Sequence, residues 1–315
     1  MKRFIVTSLA SALLLSAQQS SVTTSTQVNI NGNRVADGPT VVHTKSDGRS
    51  QTTEILQSVN GRSVPIERVE EHVIREDASG RVVERLIRRY DQTGNPTTPV
   101  KEMIEEQKRP DGSSTKQVST YRGDINGGMQ LIEKSRTEVQ TSGSTENAET
   151  VVQRPTVNGS LETVEKQSTV KVKQPAGSSE DTTVYRRDGN GGFRAAVRQT
   201  TEHSQQGQQS SDSTAEYELG ANGQLQLHNQ KVTKTVTAAD GSKEQVVDIF
   251  GQNVPGTVDP GGLKLQEQQL IERKPGPNDT VTQTLSVRRP SVSDPKMLGP
   301  SRQISETVCR GKCDQ

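Results

Sequence analysis

Tryptophan is missing altogether, and the 315-residue chain carries only three Phe, four Tyr and two Cys. Aromatics amount to 2% and hydrophobic residues to 28%, which excludes a thick core filled with rings. Charge of one sign is lacking too: 39 basic against 38 acidic residues leave a net +1. That balance removes the self-repulsion of a disordered polyelectrolyte and any electrostatic pull toward nucleic acid. Beyond the N-terminus no run is apolar enough for a membrane helix, so no transmembrane segment is expected after processing. No G-x-S-x-G, P-loop or dinucleotide fingerprint occurs. His43, His72, His203 and His228 stand in unrelated contexts. The chain reads as non-enzymatic, with no catalytic residue and no cofactor.

The first residues are different. "MKRFIVTSLASALLLSA" places Lys2 and Arg3 before an apolar run ending at Ala17, the pattern of a secretory signal peptide over 1–17. An exported protein, periplasmic or extracellular, is expected. Both cysteines, Cys309 and Cys313, lie in the tail "ETVCRGKCDQ". Their spacing is one residue too long for a C-x-x-C redox pair, and oxidising conditions favour a disulfide between them.

What is abundant is Thr, Val, Ser, Gln, Glu, Arg and Gly, suited to half-buried strands and tight turns. Turn-like glycines recur at Gly48, Gly80, Gly112, Gly143, Gly177, Gly207, Gly241, Gly276 and Gly311. A second series falls midway, at Gly61, Gly94, Gly128, Gly159, Gly192 and Gly223. Asn-Gly and Asp-Gly between β-prone segments signal hairpins, because both residues accept positive φ. Two turns per period of ~32 residues give two strands per repeat. The expected fold is all-β: an antiparallel meander of about sixteen strands with a thin core. The organisation expected is a signal peptide over 1–17, a polar segment and first partial repeat over 18–50, the hairpin array over 51–285, and a terminal repeat with a disulfide-closed tail over 286–315.

Alternation of period two is clean in "TVEKQSTVKVK", where Val164, Val170 and Val172 share a face with Lys166 and Ser168. Two stretches, "PIERVEEHVIRE" and "GRVVERLIRRYD", have helical spacing, yet their place in the repeat predicts strands. One column precedes each mid-repeat turn: Leu56, Tyr90, Tyr121, Val152, Tyr185, Tyr217, Ile249 and Val287. Since aliphatics and tyrosines interchange there, the column reads as a packing stripe; as a ligand surface it would stack on sugars. A transmembrane barrel fits the strand number but not the chemistry, for lack of an outward apolar face and aromatic girdles. A four-blade propeller lacks a blade signature. A repetitive sheet, flat, coiled or folded over, fits the low hydrophobicity.

Asp124 with Asn126, and Asp188 with Asn190, have the D-x-N spacing that opens calcium loops, but no distal Glu completes a ligand set. Sibling turns drop the acid, so these read as turns rather than metal sites. "RYDQTGNP", Arg89–Pro96, resembles the YD repeats of Rhs-type bacterial surface and toxin proteins, which implies a similar exported hairpin style. Tyr-Asp occurs only once and the period is longer, so the resemblance does not extend to membership. Paired arginines at Arg88–Arg89, Arg186–Arg187 and Arg288–Arg289 lie among equally dense acids. The functional expectation is an exported scaffold or interaction surface of a bacterial envelope, with an unknown protein or polysaccharide as partner. The alternative is a glycan- or polymer-binding module using Tyr90, Tyr121, Tyr185, Tyr217, Arg186 and Arg187.

Overall fold

A computed structural model describes residues 18–30, 33–36, 39–59, 61–91, 93–124, 127–220, 222–252, 262–291, 294 and 297–311. The expected signal peptide lies outside the described residues. All regular structure among them is β. The first strands are β1 (Gln18–Ile30), β2 (Asn33–Ala36), β3 (Thr40–Ser46), β4 (Ser50–Val59), β5 (Arg62–Asp77) and β6 (Gly80–Arg89). Then come β7 (Val100–Lys108), β8 (Ser114–Gly123), β9 (Met129–Ser142), β10 (Thr145–Pro155), β11 (Leu161–Gln174) and β12 (Gly177–Arg187). The remainder are β13 (Phe193–Gln206), β14 (Gln209–Leu219), β15 (Leu225–Thr237), β16 (Lys243–Gly251), β17 (Lys264–Gly276), β18 (Thr280–Arg288) and β19 (Arg302–Arg310).

The two stretches of helical spacing are β5 and β6. Their Val and Ile residues meet across the ladder, Val69 opposite Ile87 and Val73 opposite Val83, and such β-branched pairs outweigh local helix preference. Most of the turn glycines act as the sequence indicates, but Gly80, Gly177 and Gly276 are strand residues without positive φ, and Gly127 and Gly191 rather than Gly128 and Gly192 take it at the Gly-Gly turns. Gly112 and Gly241 both take φ of 82°, closed to most L-residues.

From β3 onward each strand pairs antiparallel with the next, and β1 also pairs with β19, Thr24 opposite Cys309 and Thr26 opposite Thr307. On its other edge β1 holds β2 and β3 end to end, Ile30 opposite Asn33 and Thr24 opposite Thr40. The nineteen segments therefore fill eighteen positions in a closed wall. The open sheet of about sixteen strands is corrected on this point. The meander is right, but closure removes both free edges. Cys309 is disulfide-bonded and lies at the seam, opposite Thr24 and Val281; Cys313 is outside the described residues.

Opposed residues can be followed around the wall from Val73, near the end of β5, through Val83, Ile104, Val118, Ser135, Val152, Glu165 and Arg186. The line reaches Arg194, near the start of β13. This stagger is the shear of a tilted barrel. At ~4.8 Å per strand and ~40° tilt, eighteen strands give a backbone radius of about 18 Å.

The row through Val73 faces the lumen, for two reasons. Tilt has a fixed hand, and with it the bond from Val73 N–H to the Arg49 carbonyl on the preceding strand's side turns the side chain inward. The concave side also crowds its side chains, and four of the five buried hydrophobic residues, Val73, Val83, Ile104 and Val247, lie on it. The extensive strand contacts are all between neighbours in the wall. Accessible surface is 21784 Å², against about 12,900 Å² for a globular protein of this mass. Both faces of a single layer are wet.

Candidate functional site: lumen wall and outer collar

Closure creates an inner and an outer surface, and each repeat adds similar side chains to both. Just inside the mid-repeat turns the lumen carries Glu–Arg pairs: Glu67–Arg89 at 2.9 Å, Glu133–Arg154 at 2.9 Å, Glu165–Arg186 at 3.0 Å and Glu267–Arg289 at 3.0 Å. Each spans 21 or 22 residues of sequence. Farther along, threonine hydroxyls meet across the ladder: Thr137–Thr150 at 2.7 Å, Thr169–Thr182 at 2.9 Å and Thr201–Thr214 at 3.4 Å. Arg85 bridges Glu71 and Glu102, at 2.6 and 3.1 Å, and His203 Nδ1 lies 2.7 Å from Asp212. A shallow recess of 310 Å³ opens between Glu133, Arg154, Glu165 and Arg186. Acids and bases are nearly matched along this wall, so it carries no strong field of one sign.

The outer wall is patterned by a defect. In seven strand pairs the register slips by one residue at the same level: at Ile55/Leu56, Thr120/Tyr121, Val152/Gln153, Val184/Tyr185, Glu216/Tyr217, Ile249/Phe250 and Leu285/Ser286. Such a bulge sets two residues against one and breaks alternation. Consecutive apolar residues then share the outward face, as at Pro65–Ile66, Leu131–Ile132 and Ala195–Ala196. Leu56, Tyr121 and Tyr185 oppose these pairs, and Tyr217 and Phe250 oppose Leu227 and Leu265 at the same level. Tyr90 reaches this level through its bridge to Pro96. Together they form an apolar and aromatic collar around the mid-repeat rim. Cations lie on it: Lys166 Nζ is 4.7 Å from the Phe193 ring centre and the Arg198 guanidinium 5.6 Å from that of Tyr217. Beyond the collar the outer wall is a shaft of ion pairs such as Arg68–Glu70–Arg88, and the cations beside the rings are tied to it, Lys101 to Glu84 and Arg198 to Asp181.

The single column of Leu56, the tyrosines, Val152, Ile249 and Val287 is thereby split. Val152, Ile249 and Val287 face the lumen, and Gln153, Phe250 and Ser286 hold the outward positions. Nor do the tyrosines share a surface with Arg186, which points inward to Glu165. Arg187 pairs with Glu162, Arg88 with Glu70 and Arg89 with Glu67.

The D-x-N turns are closed on themselves. Asp188 Oδ1 accepts from the N–H groups of Asn190 and Gly192 at 2.9 Å, and Asp124 Oδ1 accepts from Gly128 N–H at 2.8 Å. Asn126 lies outside the described residues. Among those described, no group of three His, Cys, Asp or Glu is placed to hold a metal ion.

No family model matches the chain, and no curated protein matches it in sequence. Solved structures do. The outer membrane protein OpdK from Pseudomonas aeruginosa superposes with a TM-score of 0.56 at 11% identity, over 94% of this chain and 98% of that one. OmpF of Salmonella typhi, solved with daunomycin, gives 0.49 at 7% identity over 94% and 97%. The fold is porin-like. The likeness to OpdK and the closed wall overturn the reading of a soluble, secreted scaffold sheet in the periplasm, and with it the sheet-borne glycan-binding module. They also correct the expectation of no transmembrane segment: in such a fold strands, not a helix, meet the membrane. The aromatic side chains, far apart in sequence, gather in the collar, most of them beside the bulges.

Proposed function

We propose that this protein is a channel-type barrel of the outer envelope membrane, through whose lumen small polar solutes move. One observation carries the reading: an eighteen-position closed wall with an interior of hydroxyls and compensated ion pairs. Barrels of this strand number leave an aqueous channel. The matched charges favour neutral, hydroxyl-rich solutes over ions of either sign.

The test places one cysteine in the lumen, Thr137→Cys, in a chain with Cys309 and Cys313 replaced by serine. Maleimides on polyethylene glycol chains of graded length then probe it. A water-filled conduit gives rapid modification by short reagents and a cut-off as chain size approaches the lumen width. A cysteine shielded from every reagent, like a packed core residue, would overturn the reading.

A further inference from the structure

Ion pairs line the lumen from Glu67 on β5 to Glu267 on β17, but the arc beside the seam is built differently. Three rows of opposed residues cross β1, β3 and β4: Ser20–Thr44–Thr53, Val22–Val42–Ile55 and Thr24–Thr40–Gln57. Their facing is fixed at both ends. Val22 and Thr24 lie an even number of residues from Thr26, whose hydroxyl meets Thr307 inside the lumen. Ile55 stands opposite Glu67, a member of a lumenal Glu–Arg pair. No charged residue occurs in the three rows, nor at Ser305, Thr307 and Cys309 across the seam.

The hydroxyls of this arc are also unengaged. Among the described residues the Thr24, Thr40, Thr44 and Thr53 side chains have no hydrogen-bond partner, whereas those of Thr26, Thr137, Thr169 and Thr201 are paired across the ladder. All four are half-buried, and each keeps a donor and acceptor sites for a solute. The apolar row lies between the two hydroxyl rows, about 6.6 Å from each at two residues of rise. Over three strands it runs about 10 Å. A six-membered carbon ring rimmed with hydroxyls has the same pattern, a C–H face in the middle and polar groups around it.

We infer that this arc is a binding track for neutral cyclic polyols, with the ring's C–H face on Val22, Val42 and Ile55 and its hydroxyls on the flanking threonines. A charged solute finds no counter-ion in these rows. An open-chain polyol lacks the rigid apolar face and loses more conformational freedom on binding. The inference rests on the channel reading and narrows its solute class.

Saturation-transfer NMR on the full chain, folded in a detergent without sugar groups, tests it with myo-inositol, open-chain sorbitol and gluconate. Inositol should receive saturation at its ring C–H protons, sorbitol should bind about tenfold more weakly, and gluconate should show no transfer. Thr24→Val and Thr44→Val, which keep the side-chain shape, should each weaken inositol binding about fivefold. Thr52→Val, beside Thr53 but opposite Glu70 on the outer wall, should leave it unchanged. Equal saturation of inositol and sorbitol, or equal losses from Thr44→Val and Thr52→Val, would overturn the track. Lumen labelling at Thr137→Cys uses no polyol, so failure of the channel reading is scored separately.

Discussion

Thr26 and Thr307 stand 281 positions apart in sequence, yet their hydroxyl oxygens lie 3.1 Å apart across the seam between β1 and β19. The contact matches the threonine rungs that join consecutive strands elsewhere in the lumen, so the seam is built like any other joint in the wall. Stability rests on neighbour-to-neighbour pairing rather than on a central core, which consists of little more than Val73, Val83, Ile104 and Val118.

Backbones approach most closely where repeats turn. An added Cβ at Gly80 would meet the Glu106 carbonyl, and at Gly177 the His203 carbonyl, whereas at Gly189 nothing lies within 4 Å. Gly80→Ala and Gly177→Ala should each destabilise by about 1–3 kcal/mol, while Gly189→Ala should stay within ~0.5 kcal/mol. Thermal melting of the three variants checks the contrast.

The Glu71–Arg85–Glu102 triad faces the lumen with side chains only 22–27% exposed. Arg85→Met leaves two carboxylates side by side and should cost about 1–2 kcal/mol. Adding Glu71→Gln and Glu102→Gln should recover much of that loss. A double-mutant cycle by denaturant unfolding measures the coupling.

Acid sensitivity is set at the end-of-repeat turns. Hydrogen bonds from the Ser113 and Ser242 hydroxyls, at 2.6 and 2.7 Å, and from the same residues' N–H groups hold the Asp111 and Asp240 carboxyls below the ordinary carboxylate range. A carboxyl lowered in the folded state contributes stability above its unfolded pKa of ~3.9, and that contribution is lost as pH falls through the folded value. Melting temperature should therefore drop below about pH 4. Asp111→Asn with Asp240→Asn should flatten this part of the profile, as scans at several pH values would reveal.

Cys309 is disulfide-bonded and lies beside the seam. Reduction should raise amide exchange in β1 and β19 while β11 to β13 keep their protection. Exchange followed by mass spectrometry, with and without reductant, distinguishes a local clasp from a global one.

Much of the local architecture is legible in the sequence. The glycine series mark the turns, and "TVEKQSTVKVK" displays its alternation openly, with only Thr163 changing face. The bulges are not legible, because an inserted residue shifts facing without leaving a residue-type signature. For that reason Val152, Ile249 and Val287 align with the tyrosines in sequence but point the other way. The Glu–Arg rungs had a signal that was missed, the recurrence of Arg 21 or 22 residues after Glu at residues 67, 133, 165 and 267. Closure has none, since pairing between distant ends depends on accumulated twist and shear rather than on any one segment.

The closed wall is therefore the claim to test first, by oxidising a Thr26→Cys, Thr307→Cys chain in which Cys309 and Cys313 are serine. A barrel predicts rapid, intramolecular disulfide formation in the dilute monomer, seen as a mobility shift that reductant reverses. Free thiols that stay unpaired, or links that form only between chains, would mean an open sheet and contradict the account.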